Sequence, residues 1–354
     1  MSSLESGEIL KRIRGMGVSA RFMEVCGTHT LSIARSGLKK LLPDSVKLIS
    51  GPGCPVCVTS QEDIDYAVAL ARQPGVIVAT FGDMVRVPGT ETSLLEARAS
   101  GGRVEVFYSP MDSLSLAREN PKEEVVFLAV GFETTAPLIA RTVQIVRAEG
   151  IPNLSFLVLH KLIPPAMRAL LTRKEVQLDG FILPGHVCAV LGSRPFLFLK
   201  EEFHLPGVIT GFEPEDVLLA LFMLLKQKKD DRAEIEIQYR RAVKPEGNIQ
   251  ALKTMEEVFE PQEANWRGLG VIPDSGLGLR EPYSGFDARR RFPLNITGSR
   301  EYPECRCGEV LRGVISPREC PLFGKACTPD SPVGPCMVSS EGSCAASYHY
   351  EERP

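Results

Sequence analysis

The chemistry this chain can do is mostly sulfur chemistry, concentrated in three places. The first is Ser50-Gly51-Pro52-Gly53-Cys54-Pro55-Val56-Cys57-Val58, where two thiols sit two residues apart behind a run of glycine and proline. Glycine opens backbone angles closed to other residues, while Pro52 and Pro55 fix φ and remove two donors, so the loop is shaped in advance. A Cys-x-x-Cys after a strand, in a chain with no secretory signal, predicts redox thiols or half of a metal site. The second is Cys26-Gly27-Thr28-His29-Thr30, a thiol, a glycine and an imidazole within four residues. Capped by Thr28 or Thr30, a helix through Leu31, Ile33 and Ala34 would put Cys26 at a helix N-terminus, where backbone donors favour the thiolate. The third is the tail, where Cys305-x-Cys307 is followed by Cys320, Cys327, Cys336 and Cys344 among glycines and prolines.

The tail has little apolar periodicity and cannot bury much core of its own, so a metal is expected to staple it. Structural zinc usually draws on paired Cys-x-x-Cys knuckles, which the tail lacks, whereas an iron-sulfur cluster needs only four converging thiolates. On the residues alone a cluster is favoured, with zinc and disulfides still open. Spacing does not pick four ligands out of six.

These groups must be held by regular elements, and from Val46 onward a rhythm supplies them. Short β-branched runs, Val46 to Ser50, Val76 to Thr80, Val104 to Tyr108, Val125 to Val130, Leu154 to His160, Phe181 to Leu183 and Val208 to Thr210, alternate with helical stretches. That alternation predicts an α/β protein with parallel sheets, and ligands collect at the carboxyl ends of such strands. Gly131-Phe132-Glu133 and Gly211-Phe212-Glu213 both follow strands, which suggests two sheets divided near Ala129. The predicted organisation is a first α/β domain over 1–128, a second over 129–230, and a helical, cysteine-rich domain over 231–354. Loops after strands bring Arg86, Glu133 with Thr134, and His186 to the sheet edges as a candidate polar cleft. Helices are predicted over Glu8 to Arg14, Glu213 to Lys229 and Ile249 to Phe259, with Trp266 packing nearby, while His160, Cys188 and His204 read as structural.

With 354 residues, 44% hydrophobic content and a formal charge of −3, the chain reads as globular without the basic footprint of a nucleic-acid binder. Met1 to Gly17 lacks an apolar signal segment and the longest apolar run, Val217 to Leu225, is too short to span a bilayer, so a cytoplasmic protein is expected. In that reducing compartment ten cysteines argue for metal or redox chemistry over a disulfide framework.

Taken together, Cys26-Gly-Thr-His29-Thr, Ser50-Gly-Pro-Gly-Cys-Pro-Val-Cys57, Thr80-Phe-Gly-Asp-Met, Gly131-Phe-Glu-Thr-Thr-Ala-Pro137, Pro184-Gly-His-Val187 and Trp266-Arg-Gly-Leu-Gly270 resemble the HypD family of nickel-iron hydrogenase maturation factors. The resemblance covers nearly the whole chain. It implies two Rossmann-like parallel-sheet domains facing a cleft, joined to an iron-sulfur domain at the C-terminus. It also implies a scaffold for the hydrogenase iron with its two cyanides and one carbonyl, working with the small chaperone HypC. Cyanide would come from HypE, with HypF upstream, and the hydrogenase large subunit would be served indirectly. The family's tail spacing maps a 4Fe-4S cluster onto Cys305, Cys320, Cys327 and Cys344, leaving Cys307 and Cys336 outside the ligand set. Cys26 resembles the thiolate that holds the substrate iron, with His29 to tune or orient it. Cys54 and Cys57 resemble a redox pair that works beside the cluster, much as in ferredoxin:thioredoxin reductase. Glu133, Thr134 and His186 would support the cleft. Two rival readings stand beside this one: a stand-alone iron-sulfur thiol-disulfide oxidoreductase, and a zinc-stapled interaction protein.

Overall fold

In a computed structural model, which describes residues 3–351, the chain forms eleven strands. In chain order they are β1 (Ala20–Glu24), β2 (Val46–Ser50), β3 (Val76–Thr80), β4 (Arg103–Val106), β5 (Glu124–Ala129), β6 (Leu154–Val158), β7 (Gly180–Pro184), β8 (Gly207–Thr210), β9 (Ile235–Ile237), β10 (Phe259–Trp266) and β11 (Gly270–Leu279). The first sheet has the order β2-β1-β7-β8-β9 and the second β4-β3-β5-β6, and every pairing within them is parallel. β10 and β11 form a separate antiparallel hairpin. The α/β class and the two parallel sheets are as expected.

The division along the chain differs from the expected one. The first sheet takes β1 and β2, and then β7, β8 and β9, while all four strands of the second sheet lie between them in sequence. A boundary at 128/129 cuts through the end of β5 and parts it from β6, with which it pairs from Val125↔Leu154 to Ala129↔Val158. One at 230/231 removes β9 from β8.

Period-2 burial explains how these layers stack. On the first sheet Phe22, Ile182 and Val208 face the helix Pro214–Lys229 through Val217 and Leu221. Their neighbours Met23, Phe181, Leu183 and Ile209 enter a second core that also holds Val78, Val126 and Leu128 of the second sheet and Val310, Leu311 and Met337 of the tail. Ile77, Val125 and Phe127 face outward onto the helix Ala136–Glu149. The tail therefore completes the common core, and its helix Ser343–Tyr350 packs on the helix Gly27–Arg35. Among the described residues no helix is long and apolar enough to cross a membrane.

Candidate functional site

Cys26 directly follows β1 and Val25, and it is itself the N-cap of the helix Gly27–Arg35. The expected caps lie inside the helix and bond elsewhere: Thr28 donates to Glu341 Oε1 at 2.7 Å and Thr30 to Glu24 Oε1 at 2.5 Å. Burial pushes the Cys26 thiol up to about 12, against main-chain donation from His29 and Thr28 and with help from the carboxylates of Glu341 and Glu24. Burial thus opposes the thiolate expected at this helix N-terminus.

His29 supports Cys26 through its backbone, because its ring turns away. Nε2 lies 2.8 Å from the Gly211 carbonyl, which can only accept, so Nε2 carries the proton. The ring stacks on Phe212 with centroids 4.7 Å apart, and Phe212 stacks in turn on the exposed His186 at 3.8 Å. Burial lowers His29 to about 4, and Nδ1 has no partner.

The dithiol loop lies against Cys26. Gly27 N donates to Gly53 O at 2.7 Å and Gly51 N to Glu24 O at 2.8 Å. A Cβ on Gly53 would overlap the Cys26 amide, so only glycine permits this approach. Cys54 and Cys57 are joined in a disulfide with Cα atoms 5.2 Å apart. Cys54 caps the short helix Pro55–Val58 and its sulfur accepts from Cys57 N at 3.2 Å, while Pro55 occupies the first turn, where a missing donor costs little. Cys57 is fully buried, and its sulfur lies 3.9 Å from the Pro335 carbonyl, where the helix bearing Cys336 begins.

The six tail cysteines are free of disulfides, and Cys305 is the most exposed of them. Sulfur meets sulfur from Cys305 to Cys307, from Cys307 to Cys336 and from Cys336 to Cys344. Cys320 lies within electrostatic reach of Cys305 and Cys327, and Cys344 within reach of Cys327. Donation from Cys305 and Cys336 pulls the Cys307 thiol down, while the Cys307 bond pushes Cys305 and Cys336 up. These are the side chains that could hold a metal. Among the described residues no group of three or more His, Cys, Asp or Glu is set in ligating geometry.

Of the cleft residues, Glu133 is buried and its Oε1 accepts from Ile163 N at 2.9 Å, the first N–H of a helix whose next two residues are prolines. Its Oε2 has no partner, and burial pushes the carboxyl up to about 7. Thr134 is exposed. Cys188, on the helix Gly185–Leu191, is buried, and burial first, then the neighbourhood of Glu133 and Cys26, pushes its thiol up. His204, read as structural, is an exposed left-handed helix cap.

Four groups escaped sequence reasoning. Glu24 is 2% exposed, receives Thr30 and the Cys26 amide at 3.1 Å, and is pushed up to about 7 by burial. Its one signal is its place at the end of β1. Glu341 reaches Thr28 across 313 residues, and the buried Lys161 shares the buried Asp63 with the exposed Arg289, and neither leaves a local trace. Arg267 stands in a quoted motif but reads as polar loop.

His160 gives the site region a pH signature. It is buried, Nε2 is 3.0 Å from Thr135 Oγ1, and burial, then the Lys161 charge, lower it to about 3. In the unfolded chain an imidazole titrates near 6.5, so between pH 6.5 and about 3 the unfolded state binds the extra proton. The stability this group confers is present above pH 6.5 and lost as pH falls through that window. In His160→Gln, denaturant stability should fall less steeply from pH 6.5 to 4.5, by at most about 1.4 kcal/mol per pH unit. Parallel wild-type and variant profiles would contradict this.

Fold and site together define a sulfur-centred α/β protein, with a capped thiol, a disulfide loop and a six-thiol tail gathered around the edge of one parallel sheet. The HypD family profile, described as "Hydrogenase formation hypA family", matches residues 6–351. "Hydrogenase expression/formation protein HupD" of Azotobacter chroococcum mcd 1 is 50% identical over 337 residues, 93% of this chain and 89% of that protein. "Hydrogenase maturation factor HypD" of Azotobacter vinelandii is 49% identical over 337 residues, with the same coverage. Its Escherichia coli K12 namesake is 46% identical over 334 residues, covering 94% of this chain and 90% of that protein. The chain belongs to the HypD family of hydrogenase maturation factors.

Proposed function

We propose that this chain is the scaffold on which the iron of nickel-iron hydrogenase acquires two cyanides and a carbonyl, and that its dithiol supplies reducing equivalents there. Cys26 takes the substrate iron, shared with a HypC-type small chaperone. Cyanide arrives from a HypE-type partner fed by HypF, the hydrogenase large subunit is served through the chaperone, and the work belongs in the cytoplasm. The observation that carries this reading is the 2.7 Å bond from Gly27 N to Gly53 O, which holds Cys26 beside the Cys54–Cys57 pair.

The chemistry follows from burial. A thiol held up near 12 keeps its proton until a divalent iron displaces it, so Cys26 stays unreactive toward stray electrophiles while the site is unloaded. Main-chain N–H groups of His29 and Thr28 then steady the thiolate. Behind the dithiol, Cys305, Cys320, Cys327 and Cys344 would hold a 4Fe-4S cluster, which would supply one-electron chemistry when bound. Six free thiols, five of them buried, walled by Val310, Leu311, Phe323 and Met337, suit such a donor set.

The oxidoreductase reading shares the disulfide and the tail, so Cys26 separates the two. Cys26→Ala, purified anaerobically with the small chaperone, should lose the infrared bands of iron-bound cyanide and carbonyl while keeping its tail iron and sulfide. Bands that persist would place the iron elsewhere.

A further inference from the structure

Trp266-Arg267-Gly268-Leu269-Gly270 closes the β10–β11 hairpin, and nothing in the proposed chemistry uses it. Its arginine is unusual. The Arg267 side chain is only 3% exposed, although a guanidinium keeps its charge at any pH a protein survives. Burying such a charge is costly unless partners surround it. The partners are few and come from the dithiol side: Arg267 N donates to Val58 O at 2.9 Å, Nε to Thr59 O at 3.1 Å and Nη2 to Gln61 Oε1 at 3.0 Å. The one carboxylate paired with it, Glu301, is 3.5 Å from Nη1 and half in solvent, so the charge is only partly neutralised.

The other side of the same turn rests on the tail. Gly268 has φ +77°, and a Cβ there would meet Gly308 Cα at 2.5 Å, so two glycine backbones touch where the helix Cys307–Leu311 begins. Arg312 Nη1 fastens the contact by donating to Gly268 O at 2.7 Å. Arg267 consequently lies between the helix that carries Cys57 and the helix that begins at Cys307, two residues past Cys305. It also lines a cavity of about 740 Å³ whose wall includes Cys305.

We propose that Arg267 is a positioning residue that raises the reduction potential of the tail cluster by placing a water-excluded positive charge on the wall of the cavity that Cys305 lines. The inference rests on the reading of the tail as a 4Fe-4S site. Such a cluster with four thiolates carries two net negative charges when oxidised and three when reduced, so a fixed cation stabilises the reduced form more. Glu301 opposes that effect.

The test uses the full chain, purified anaerobically, with iron and sulfide counted and the cluster titrated against dithionite while its paramagnetic signal is followed. Arg267→Gln should shift the midpoint to more negative values, with at least a tenfold loss of reduced cluster at fixed ambient potential, about 59 mV for a one-electron couple. Arg267→Lys, which keeps the charge and loses the fork, should stay near wild type. Glu301→Gln leaves the bonds to Thr59 and Gln61 in place, sits at the surface, and should shift the midpoint upward, which a purely structural arginine would not do. If Arg267→Gln does not fold, Glu301→Gln decides alone, and an unmoved midpoint in it overturns the proposal. A wild-type chain with no iron and sulfide would instead refute the cluster reading, and this inference with it.

Discussion

Serine at Cys305, Cys320, Cys327 or Cys344 is expected to strip the chain of most of its iron and sulfide, whereas serine at Cys307 or Cys336 is not. The four follow the family spacing, with 14, 6 and 16 residues between successive thiols. The other two occupy the middle of the sulfur chain, beside each other and beside Cys305 and Cys344, so they are the sharpest controls. The effect should reach beyond the tail. Cys344 sits in the helix Ser343–Tyr350, which packs on the helix capped by Cys26; Glu341, just before it, bonds Thr28 of that helix, and Glu351, just after it, pairs with Lys39 of the next helix, Leu38–Leu41. A metal centre that staples a segment contributes folding energy directly, on the order of 10 kcal/mol for small metallo-domains, and the Cys26 helix should share in its loss. Anaerobic purification, iron and sulfide counts per chain and proteolysis of the tail measure this. Full iron in any of the four variants removes that residue from the ligand set, and iron loss in Cys307→Ser or Cys336→Ser adds to it.

Much of this arrangement is legible in the chain, and the parts that are not share a cause. Seven strands announce themselves as apolar runs because both faces of their sheets are covered. β1 does not, since Arg21 is exposed and Glu24 is a charged residue buried for the sake of its neighbours. β9 is three residues among charges, and β10 reads Glu260-Pro261-Gln262-Glu263 because most of the hairpin's outer side meets water. Nothing local says that the chain returns to the first sheet at β7, where Met23 pairs with Phe181 across more than the whole of the first domain's expected length. The thiols could be named from residue type and glycine spacing alone, because Gly53 must be small for Cys26 to approach. Their ionisation could not: the Cys26 proton is held by burial under segments remote in sequence, and Glu341 belongs to the tail. Helix-terminus reasoning gave the right place but left out the desolvation of a thiolate, which opposes the two main-chain donors.

Cys54→Ser and Cys57→Ser are each expected to abolish hydrogenase maturation while leaving the fold and the tail iron in place. The geometry separates the two thiols by role. Cys54 accepts the Cys57 amide and caps a short helix, a position that steadies a thiolate, and it is the more accessible of the pair at 4% exposed. Cys57 is fully buried against the Pro335 carbonyl, so it suits the resolving position that closes the disulfide from within. Opening the pair needs two electrons and two protons and little backbone movement, because Pro52 and Pro55 already fix the turn. Alkylation mapped by mass spectrometry should find both thiols labelled in reduced protein and neither after mild oxidation, with the iron count unchanged. Serine is close to cysteine in size, and at position 57 its hydroxyl would lie near the Pro335 carbonyl, an acceptor, so the stability change should be within about 2 kcal/mol. Thiols that served only as metal ligands would stay reduced while metal was bound and would not cycle. A single-serine variant that still matures hydrogenase would reduce the pair to a structural turn, and the electrons for the iron would then have to come through Cys26's other neighbours.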